Sequence, residues 1–564
     1  KMPIRFRLLC CMLSLAVVFT APRAYGWILD GSPVCTADRT QSGQVVLPDG
    51  VGGVFVVWAD ARHAGTTAPD IYAQRLAANG APMWALNGVP VTTAAANQSG
   101  HEVIADGSGG IIVVWSDDRN NGTSALDLYA QRLNASGTAL WTADGVPVTT
   151  APSNQSNHRI VSDGAGGVIA VWADDRNNGT TALDLYAQRL GPAGSPLWPV
   201  NGVPVCTAPS NQSNHELEPD AAGGVIVVWS DLRNGGTSGL DLYAQRMDAN
   251  GNVLWAANGV PVSTAPGLQS NHSLVPDDAG GVIAVWNDDR DNGTTALDLY
   301  AQRLDASGTT LWTPDGAPVT SAPGIQSNHE LVGDGNGGVI VVWADQRNTG
   351  TSSLDIYAQR MSAGGSALWA ANGVPVTTAP SVQTNHLLVQ DGAGGVIAVW
   401  VDDRNNGISA LDIYAQRMSA GGAALWTANG VPVTTAPSIQ TDHEIVTDGA
   451  GGVIVVWTDF RNGGTTALDL YAQQISAAGD ALCDPNGVPL TTALRTQTNH
   501  TTVSPSPGTA VVVWVDERNL GVSELDLYAQ RLCSCAAGGV GCTPVATQLA
   551  LVSAEIVAGH LKLT

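Results

Sequence analysis

The chain has 564 residues, of which 44% are hydrophobic and 13% are charged, and its formal net charge is -24 at pH 7. So acidic a protein repels phosphate backbones and anionic lipid surfaces, which excludes binding to nucleic acids or to a membrane surface. The hydrophobic share is typical of folded domains, which excludes a disordered chain.

Residues 1–26 have the pattern of a secretory signal peptide. Arg5 and Arg7 precede the apolar run Leu8 to Ala21, and small residues around Ala24 suit a signal peptidase. We expect cleavage before Trp27 and a mature protein that is secreted or attached to the cell surface. No later apolar run approaches the ~20 residues that a membrane span requires, so we expect no spanning segment.

From residue 27 onwards the sequence repeats every 57 residues without insertion or deletion, and nine units fill 27–539. Such a period indicates a repeat fold whose neighbouring units bury each other's apolar faces. One tryptophan series consists of Trp58, Trp115, Trp172, Trp229, Trp286, Trp343, Trp400, Trp457 and Trp514. A second series consists of Trp27, Trp84, Trp141, Trp198, Trp255, Trp312, Trp369 and Trp426, with Cys483 at the ninth position.

Each unit predicts four strands, as the unit around Trp172 illustrates. Alternation of apolar and polar residues predicts strand a over His158–Asp163, and a β-branched apolar run predicts a buried strand b over Val168–Asp174. Strand c is predicted over Asp184–Leu190 and strand d over Leu197–Thr207. Because short glycine-rich turns join these strands, the unit is predicted to be an antiparallel meander.

The two ends of the repeat region favour a closed ring over an open β-solenoid. The first unit begins in strand d at Trp27, whereas the last supplies strands a, b and c up to Leu532 and no strand d. The orphan strand and the incomplete unit together make one blade, which removes two unpaired sheet edges. The sequence therefore predicts an all-β fold, a single closed nine-bladed β-propeller whose last blade is completed by the N-terminal strand.

The unit combines an Asp-Gly turn, Trp-x-Asp-x-Arg, Asn-x-Gly and Asp-Leu-Tyr, and it thereby resembles the TolB-type propeller repeat. That resemblance implies a propeller with strand a innermost and implies no activity. The run Asp-Ile-Tyr-Ala-Gln-Arg, followed by Leu-Trp and Gly-Val-Pro-Val, also resembles repeats of large secreted bacterial proteins that end in Ig-like sorting modules. Residues 547–564 alternate like two strands around a glycine, so 540–564 are expected to be the truncated start of such a module.

The Asp and Arg of the Trp-x-Asp-x-Arg motif recur in all nine units. Residues two apart on a strand point to the same side, so both are expected at the seam between blades, as a structural pair that orders neighbouring blades; a ligand-binding role is the alternative. The pairs are Asp60 and Arg62, Asp117 and Arg119, Asp174 and Arg176, Asp231 and Arg233, Asp288 and Arg290, Asp345 and Arg347, Asp402 and Arg404, Asp459 and Arg461, and Asp516 and Arg518.

One histidine per unit opens strand a, and Gln44 alone breaks the series. These residues are the ligand-binding candidates, because a ring of imidazoles at the channel mouth would gain charge as the pH falls toward about 6; the alternative is a histidine that hydrogen-bonds a neighbouring loop. The candidates are His101, His158, His215, His272, His329, His386, His443 and His500. No tight transition-metal site is expected, since equivalent residues of adjacent blades lie too far apart to share one ion.

No cofactor is predicted. The loop from Asp174 to Gly179 has enough oxygens for Ca²⁺, and calcium therefore stays an alternative, although Arg176 opposes a cation.

The function predicted from the sequence is a secreted or cell-surface binding or adhesion scaffold that is not an enzyme. No catalytic motif is present, and nearly identical blades do not supply the asymmetric set of groups that a reaction needs. The expected partner is a glycan, a protein or a second copy of the chain, bound at several equivalent sites. The alternatives are a propeller enzyme acting on polysaccharide, as a lyase or glycosidase, and a purely structural spacer.

The six cysteines of the mature chain predict where a disulfide forms. Cys35 and Cys206 have the same phase but fall on blades nine and three, too far apart to bond. Any bridge is therefore expected among the remaining four residues, which are Cys483, Cys533, Cys535 and Cys542.

Overall fold

The computed structural model describes residues 27–28, 30–65, 69–291, 293, 296–533, 535, 554–557 and 560–563. The predicted signal peptide lies outside the described residues, as does most of 540–564. Within the described part, residues 554–557 and 560–563 pair as a two-stranded antiparallel hairpin. No helix in that part is long and apolar enough to cross a membrane.

Nine four-stranded antiparallel sheets form the blades, numbered in chain order from the one that begins at Gln41. Strands a are Gln41–Pro48, Gln98–Ala105, Gln155–Ser162, Gln212–Pro219, Gln269–Pro276, Gln326–Gly333, Gln383–Gln390, Gln440–Thr447 and Gln497–Val503. Strands b are Val54–Asp60, Ile111–Asp117, Val168–Asp174, Val225–Asp231, Val282–Asp288, Val339–Asp345, Val396–Asp402, Val453–Asp459 and Thr509–Asp516.

The outer half of each blade consists of strands c and d. Strands c are Asp70–Leu76, Asp127–Leu133, Asp184–Leu190, Asp241–Met247, Asp298–Leu304, Asp355–Met361, Asp412–Met418, Asp469–Ile475 and Asp526–Cys533. Strands d of blades one to eight are Val89–Thr92, Val146–Thr149, Val203–Cys206, Val260–Ser263, Ala317–Thr320, Val374–Thr377, Val431–Thr434 and Val488–Thr491. Strand d of blade nine is Ser32–Cys35, from the start of the repeat region.

The predicted nine-bladed β-propeller is confirmed, including its closure. Ser32–Cys35 pairs with Asp526–Cys533, so the N-terminal strand completes the last blade. Strands a of adjacent blades contact each other around the whole ring, from blade one to blade nine and back to blade one. Strand a is therefore the innermost strand, and its residues line the central axis.

The core lies in the seams between blades. In the seam of blades three and four, the fully buried Trp229 packs against Ile169 and Val171 of the preceding blade. Burying an indole removes roughly 150–250 Å² of surface from water, and at ~25 cal/mol per Å² this amounts to about 4–6 kcal/mol. The first tryptophan series therefore gives each seam one large apolar anchor.

The predicted bounds of strands b and c agree with the structure, and those of strands a and d differ. Strand a of blade three starts at Gln155 rather than at the predicted His158, because Gln155 and Ser156 pair with strand b ahead of a bulge. Strand d is reduced to Val203–Cys206, because the chain turns at Gly202 with φ +83°. A Cβ atom at Gly202 would lie 2.6 Å from the Trp172 ring, so only glycine fits this turn.

The disulfide prediction is confirmed within the described residues. Cys483 bonds to Cys535, whereas Cys35 and Cys206 are buried free thiols. In blade two, Trp141 donates its indole N–H to the carbonyl of Pro192 on the next blade, 3.0 Å away. Cys483 occupies this tryptophan position in blade eight, so the disulfide joins blades eight and nine where the indole contact is missing.

We expect that deleting Trp27–Ala37 unfolds or oligomerises the protein, whereas deleting 540–564 leaves the ring intact. The first deletion exposes the edge of strand c in blade nine. It also removes Asp30, whose carboxylate accepts a hydrogen bond from the Thr492 amide at 2.9 Å and whose carbonyl accepts one from Arg518 at 2.6 Å. Thermal melting and size-exclusion chromatography of the two truncations test this; equal melting temperatures would contradict ring closure by the N-terminal strand.

Candidate functional site

The same arrangement of side chains is repeated in every blade, and it is built around a buried carboxylate at the end of strand b. Asp174 is fully buried and accepts hydrogen bonds from the Trp172 indole at 2.7 Å and from Arg176 Nε at 2.8 Å. The Arg176 guanidinium also donates to the Asn201 carbonyl at 3.0 Å and lies over the Tyr186 ring, 3.9 Å from its centroid. Charge, hydrogen bonds and aromatic contact therefore satisfy the ion pair inside one blade.

All nine predicted Asp–Arg pairs form, with Nη2 to Oδ2 distances of 2.5–2.6 Å. Both members of each pair belong to the same blade, because two residues beyond the strand end the chain turns back toward the carboxylate. The seam is reached by the arginine: Arg62 Nη2 lies 3.2 Å from Cys35 Sγ, and Arg290 Nη2 lies 3.5 Å from Ser263 Oγ, each on the preceding blade. Their charges are neutralised in this way, which fits the predicted structural role; that role stays a prediction.

The loop considered for calcium uses its polar groups internally. Asn177 donates its side-chain amide to Asp184 Oδ2 at 2.8 Å and to the Tyr186 hydroxyl at 3.1 Å, while Asp174 is occupied by Arg176. Across the described residues, no group of three or more His, Cys, Asp or Glu side chains is arranged to hold a metal ion.

The eight candidate histidines are buried at the inner ends of the seams. In five of them the ring Nε2–H donates to a carbonyl in strand b of the preceding blade, at 3.1–3.3 Å. These pairs are His158 with Val114, His215 with Val171, His272 with Val228, His386 with Val342, and His443 with Val399. In blade one, Gln44 stands in the histidine position and donates its amide to the carbonyl of Asn499.

Burial sets the charge of these imidazoles. It lowers the pKa of His158, His215 and His272 to about 4, and it lowers that of His101 as well. The expectation that the ring gains charge near pH 6 is therefore wrong, because the neighbouring blade encloses each imidazole. Ligand binding by the histidines stays a prediction.

A second set of residues in strand a breaks the nine-fold repetition. The position after the histidine is Glu102 in blade two, Arg159 in blade three and Glu216 in blade four. Arg159 donates to Glu102 Oε1 at 2.8 Å, and the other oxygen of Glu102 accepts the backbone N–H of Ile160 at 3.0 Å. Arg159 and Glu216 line an axial cavity of about 370 Å³.

Glu218 is the most unusual member of this set. Desolvation by burial, together with the nearby Glu216, raises its pKa from 4.5 to about 7. Burial also raises the pKa of Glu216, against the opposing effect of Arg159. We name Glu102, Arg159, Glu216 and Glu218 the axial cluster; it contains one group that exchanges protons near neutral pH.

Spacing within one motif does not reveal the axial cluster. An alignment of the nine units, column by column, does. The position of Glu218 is occupied by Val161 in blade three and by Val275 in blade five. A carboxylate in an otherwise apolar column is the signal that identifies an asymmetric site.

Comparison with known proteins shows similarity of fold only. No family model and no curated protein matches the chain. Puromycin hydrolase is 15% identical with a TM-score of 0.35, over 77% of this chain and 61% of its own. Penicillium chrysogenum α-L-arabinanase is 11% identical with a TM-score of 0.30, over 57% of this chain and 93% of its own. A PL25 ulvan lyase is 11% identical with a TM-score of 0.38, over 71% of this chain and 96% of its own.

The prediction that the protein is not an enzyme is contradicted. A hydrolase, an arabinanase and a lyase are among the solved structures that resemble this chain. The prediction assumed that nearly identical blades exclude an asymmetric active site. The axial cluster shows that this assumption does not hold, because it differs from blade to blade. These resemblances assign no activity and no site to this chain.

We expect the stability of the protein to fall steeply between pH 6.5 and about 4. The histidine pKa is lower in the folded state, so each imidazole is neutral in both states above pH 6.5; below it, only the unfolded chain takes up a proton. Each pKa unit corresponds to about 1.4 kcal/mol. Urea unfolding, followed by tryptophan fluorescence at several pH values, measures how the free energy of unfolding changes with pH.

His272 variants test the cause. His272→Ala should lower the free energy of unfolding by roughly 1–3 kcal/mol, because it removes the buried hydrogen bond to Val228. His272→Gln, which copies Gln44, should be milder and should reduce the loss of stability between pH 7 and 4.5 by about 2 kcal/mol. A wild-type stability that is flat over this range would contradict neutral burial of the imidazoles.

We expect Glu218→Val to raise the melting temperature more at pH 8 than at pH 5. The carboxyl pKa is higher in the folded state, so the folded protein loses stability as the pH rises from about 4.5 past 7, and valine removes that loss. Calorimetry at the two pH values measures the difference. An equal gain in melting temperature at pH 5 and pH 8 would show that ionisation of Glu218 does not destabilise the folded protein.

Proposed function

We propose that this protein hydrolyses a neutral polysaccharide in its axial channel, outside the cell. The observation that carries the proposal is the axial cluster, three carboxylates on blades two and four and the arginine of blade three between them, with Glu218 in a column that is apolar in the other eight blades. Its member Glu218 has a pKa of about 7 and can donate a proton at neutral pH.

Two carboxylates of the cluster suit the two roles of glycoside hydrolysis. Glu216 and Glu218 are two residues apart on strand a of blade four, a backbone separation of about 6.6 Å from the rise of a strand. Paired carboxyl groups of glycosidases are separated by roughly 5–9.5 Å. Residues two apart on a strand point to the same side, so both side chains can lie beside one bound sugar chain.

The environment of each carboxyl group assigns its role. Glu218 is held protonated by burial and acts as the general acid that protonates the leaving glycosidic oxygen. Glu216 interacts with Arg159, which favours its ionised form, and it accepts a proton from the attacking water. The water oxygen bonds to the anomeric carbon as the glycosidic bond breaks, and proton exchange with solvent restores both groups.

Charge favours a neutral substrate. The protein carries a net charge of -24, which repels polyanionic chains. Arg159 is paired with Glu102 at 2.8 Å, which reduces the positive charge that it offers to a uronic acid. Hydrolysis of a neutral chain therefore fits the cluster better than elimination on an anionic one.

The proposal is tested by reducing-sugar release from xylan, β-glucan and galactomannan. We expect Glu218→Gln to lower kcat by about 100-fold or more, the usual contribution of a general acid, and the wild-type rate to fall as the pH rises past about 7. Glu218→Val is the control for folding, because valine occupies this position in the neighbouring blades. Glu330→Gln alters the strand-a carboxylate two blades away and should keep the wild-type rate. No release from any substrate, or full activity in Glu218→Gln, would contradict the proposal.

A further inference from the structure

A ring of asparagines stands at the mouth of the axial channel, directly before the histidine series. All six have the left-handed backbone conformation, with φ between 49° and 51°. They are Asn157, Asn214, Asn271, Asn328, Asn385 and Asn499. Blade eight has Asp442 at this position, and blades one and two have Gly43 and Gly100.

The backbone alone does not explain these side chains. A left-handed conformation disfavours residues with a Cβ atom and is easiest for glycine. Gly43 and Gly100 adopt the same region, with φ of 64° and 59°, and their blades fold in the same way. The bulge therefore forms without a side-chain amide in blades one and two.

The position of the amides suits ligand binding. The bulge in strand a, between Ser156 and Arg159 in blade three, sets the residue apart from the ladder, and the asparagine is exposed. Asn214 and Asn271 line the same cavity as Arg159 and Glu216 of the axial cluster. Asn328 and Asn385 line a neighbouring cavity of about 480 Å³ on the same axis.

The amide groups are available. Within the described residues, five of the six form no side-chain hydrogen bond, and Asn385 only accepts one from the neighbouring Thr384 hydroxyl at 3.4 Å. A side-chain amide offers two donors and one carbonyl acceptor without charge, which matches the hydroxyl groups of a sugar. A ring of such groups favours an extended ligand that contacts several at once.

We propose that these six asparagines form a subsite that binds a neutral glycan chain across the channel mouth. The inference rests on the proposed function for its substrate class. The ring is open at Gly43 and Gly100, beside Glu102 of the axial cluster. A chain held by the amides of blades three to five lies beside Arg159 and Glu216, which line the same cavity.

The experiment measures binding separately from cleavage, by affinity gel electrophoresis in gels containing xylan, β-glucan or galactomannan. The test variant is Asn271→Gly/Asn328→Gly/Asn385→Gly, which keeps the left-handed backbone as Gly43 and Gly100 do. The matched control is Asn121→Gly/Asn178→Gly/Asn406→Gly. It changes three exposed loop asparagines at a position where Gly235 and Gly463 occur naturally.

We expect the test variant to lose about tenfold or more in affinity for the retarding glycan, because it lacks three side-chain amides that hydrogen-bond the glycan. The control variant should bind like wild type. Binding lost in the test variant alone supports the subsite even if no glycan is cleaved, in which case only the proposed function fails. Equal retardation of test and control variants, or no retardation of the wild type by any of the three glycans, overturns the subsite.

Discussion

The hydrogen-bonded group around each buried strand-b carboxylate is the constraint on which this propeller depends. A buried Asp174 without partners would be strongly unfavourable, and the Trp172 indole together with Arg176 satisfies it. Satisfying the carboxylate fixes the orientation of the indole, and the indole fills the seam against the preceding blade. Because the same three residues recur in every unit, the angle between blades is also repeated, and nine equal steps close the ring.

This rigid frame explains where variation is tolerated. Residues of strands b and c are enclosed by two neighbouring blades, so a change there disturbs a seam. The inner strand a borders the channel on one side, and its residues after the histidine differ from blade to blade. Glu216 and Glu218 lie in this strand, within a few residues of the buried His215. Uniform blades and an asymmetric site are therefore compatible, because they use different strands.

Much of the fold could be read from the sequence, because it depends on local patterns. The apolar run Val168–Asp174 marks strand b, and the orphan strand at Trp27 marks the closure. Properties that depend on contacts with the neighbouring blade could not be predicted from the sequence. The start of strand a at Gln155 depends on pairing beyond a bulge, and the neutrality of His158 depends on enclosure by blade two. In the sequence, Glu218 stands out only when the units are aligned, because the equivalent residue in every other unit is apolar.

The pairing of Ser32–Cys35 with the last blade also orders the folding of the chain in time. The Ile28 carbonyl accepts a hydrogen bond from Gln530, so the first strand must wait for a partner about 500 residues away. During synthesis the early blades can stack on one another, while both ends of the growing arc remain open edges. Closure has the highest contact order of any step in the fold and comes last. The ring is sealed only when the repeat region is complete, so a chain interrupted at any blade remains an unsealed arc.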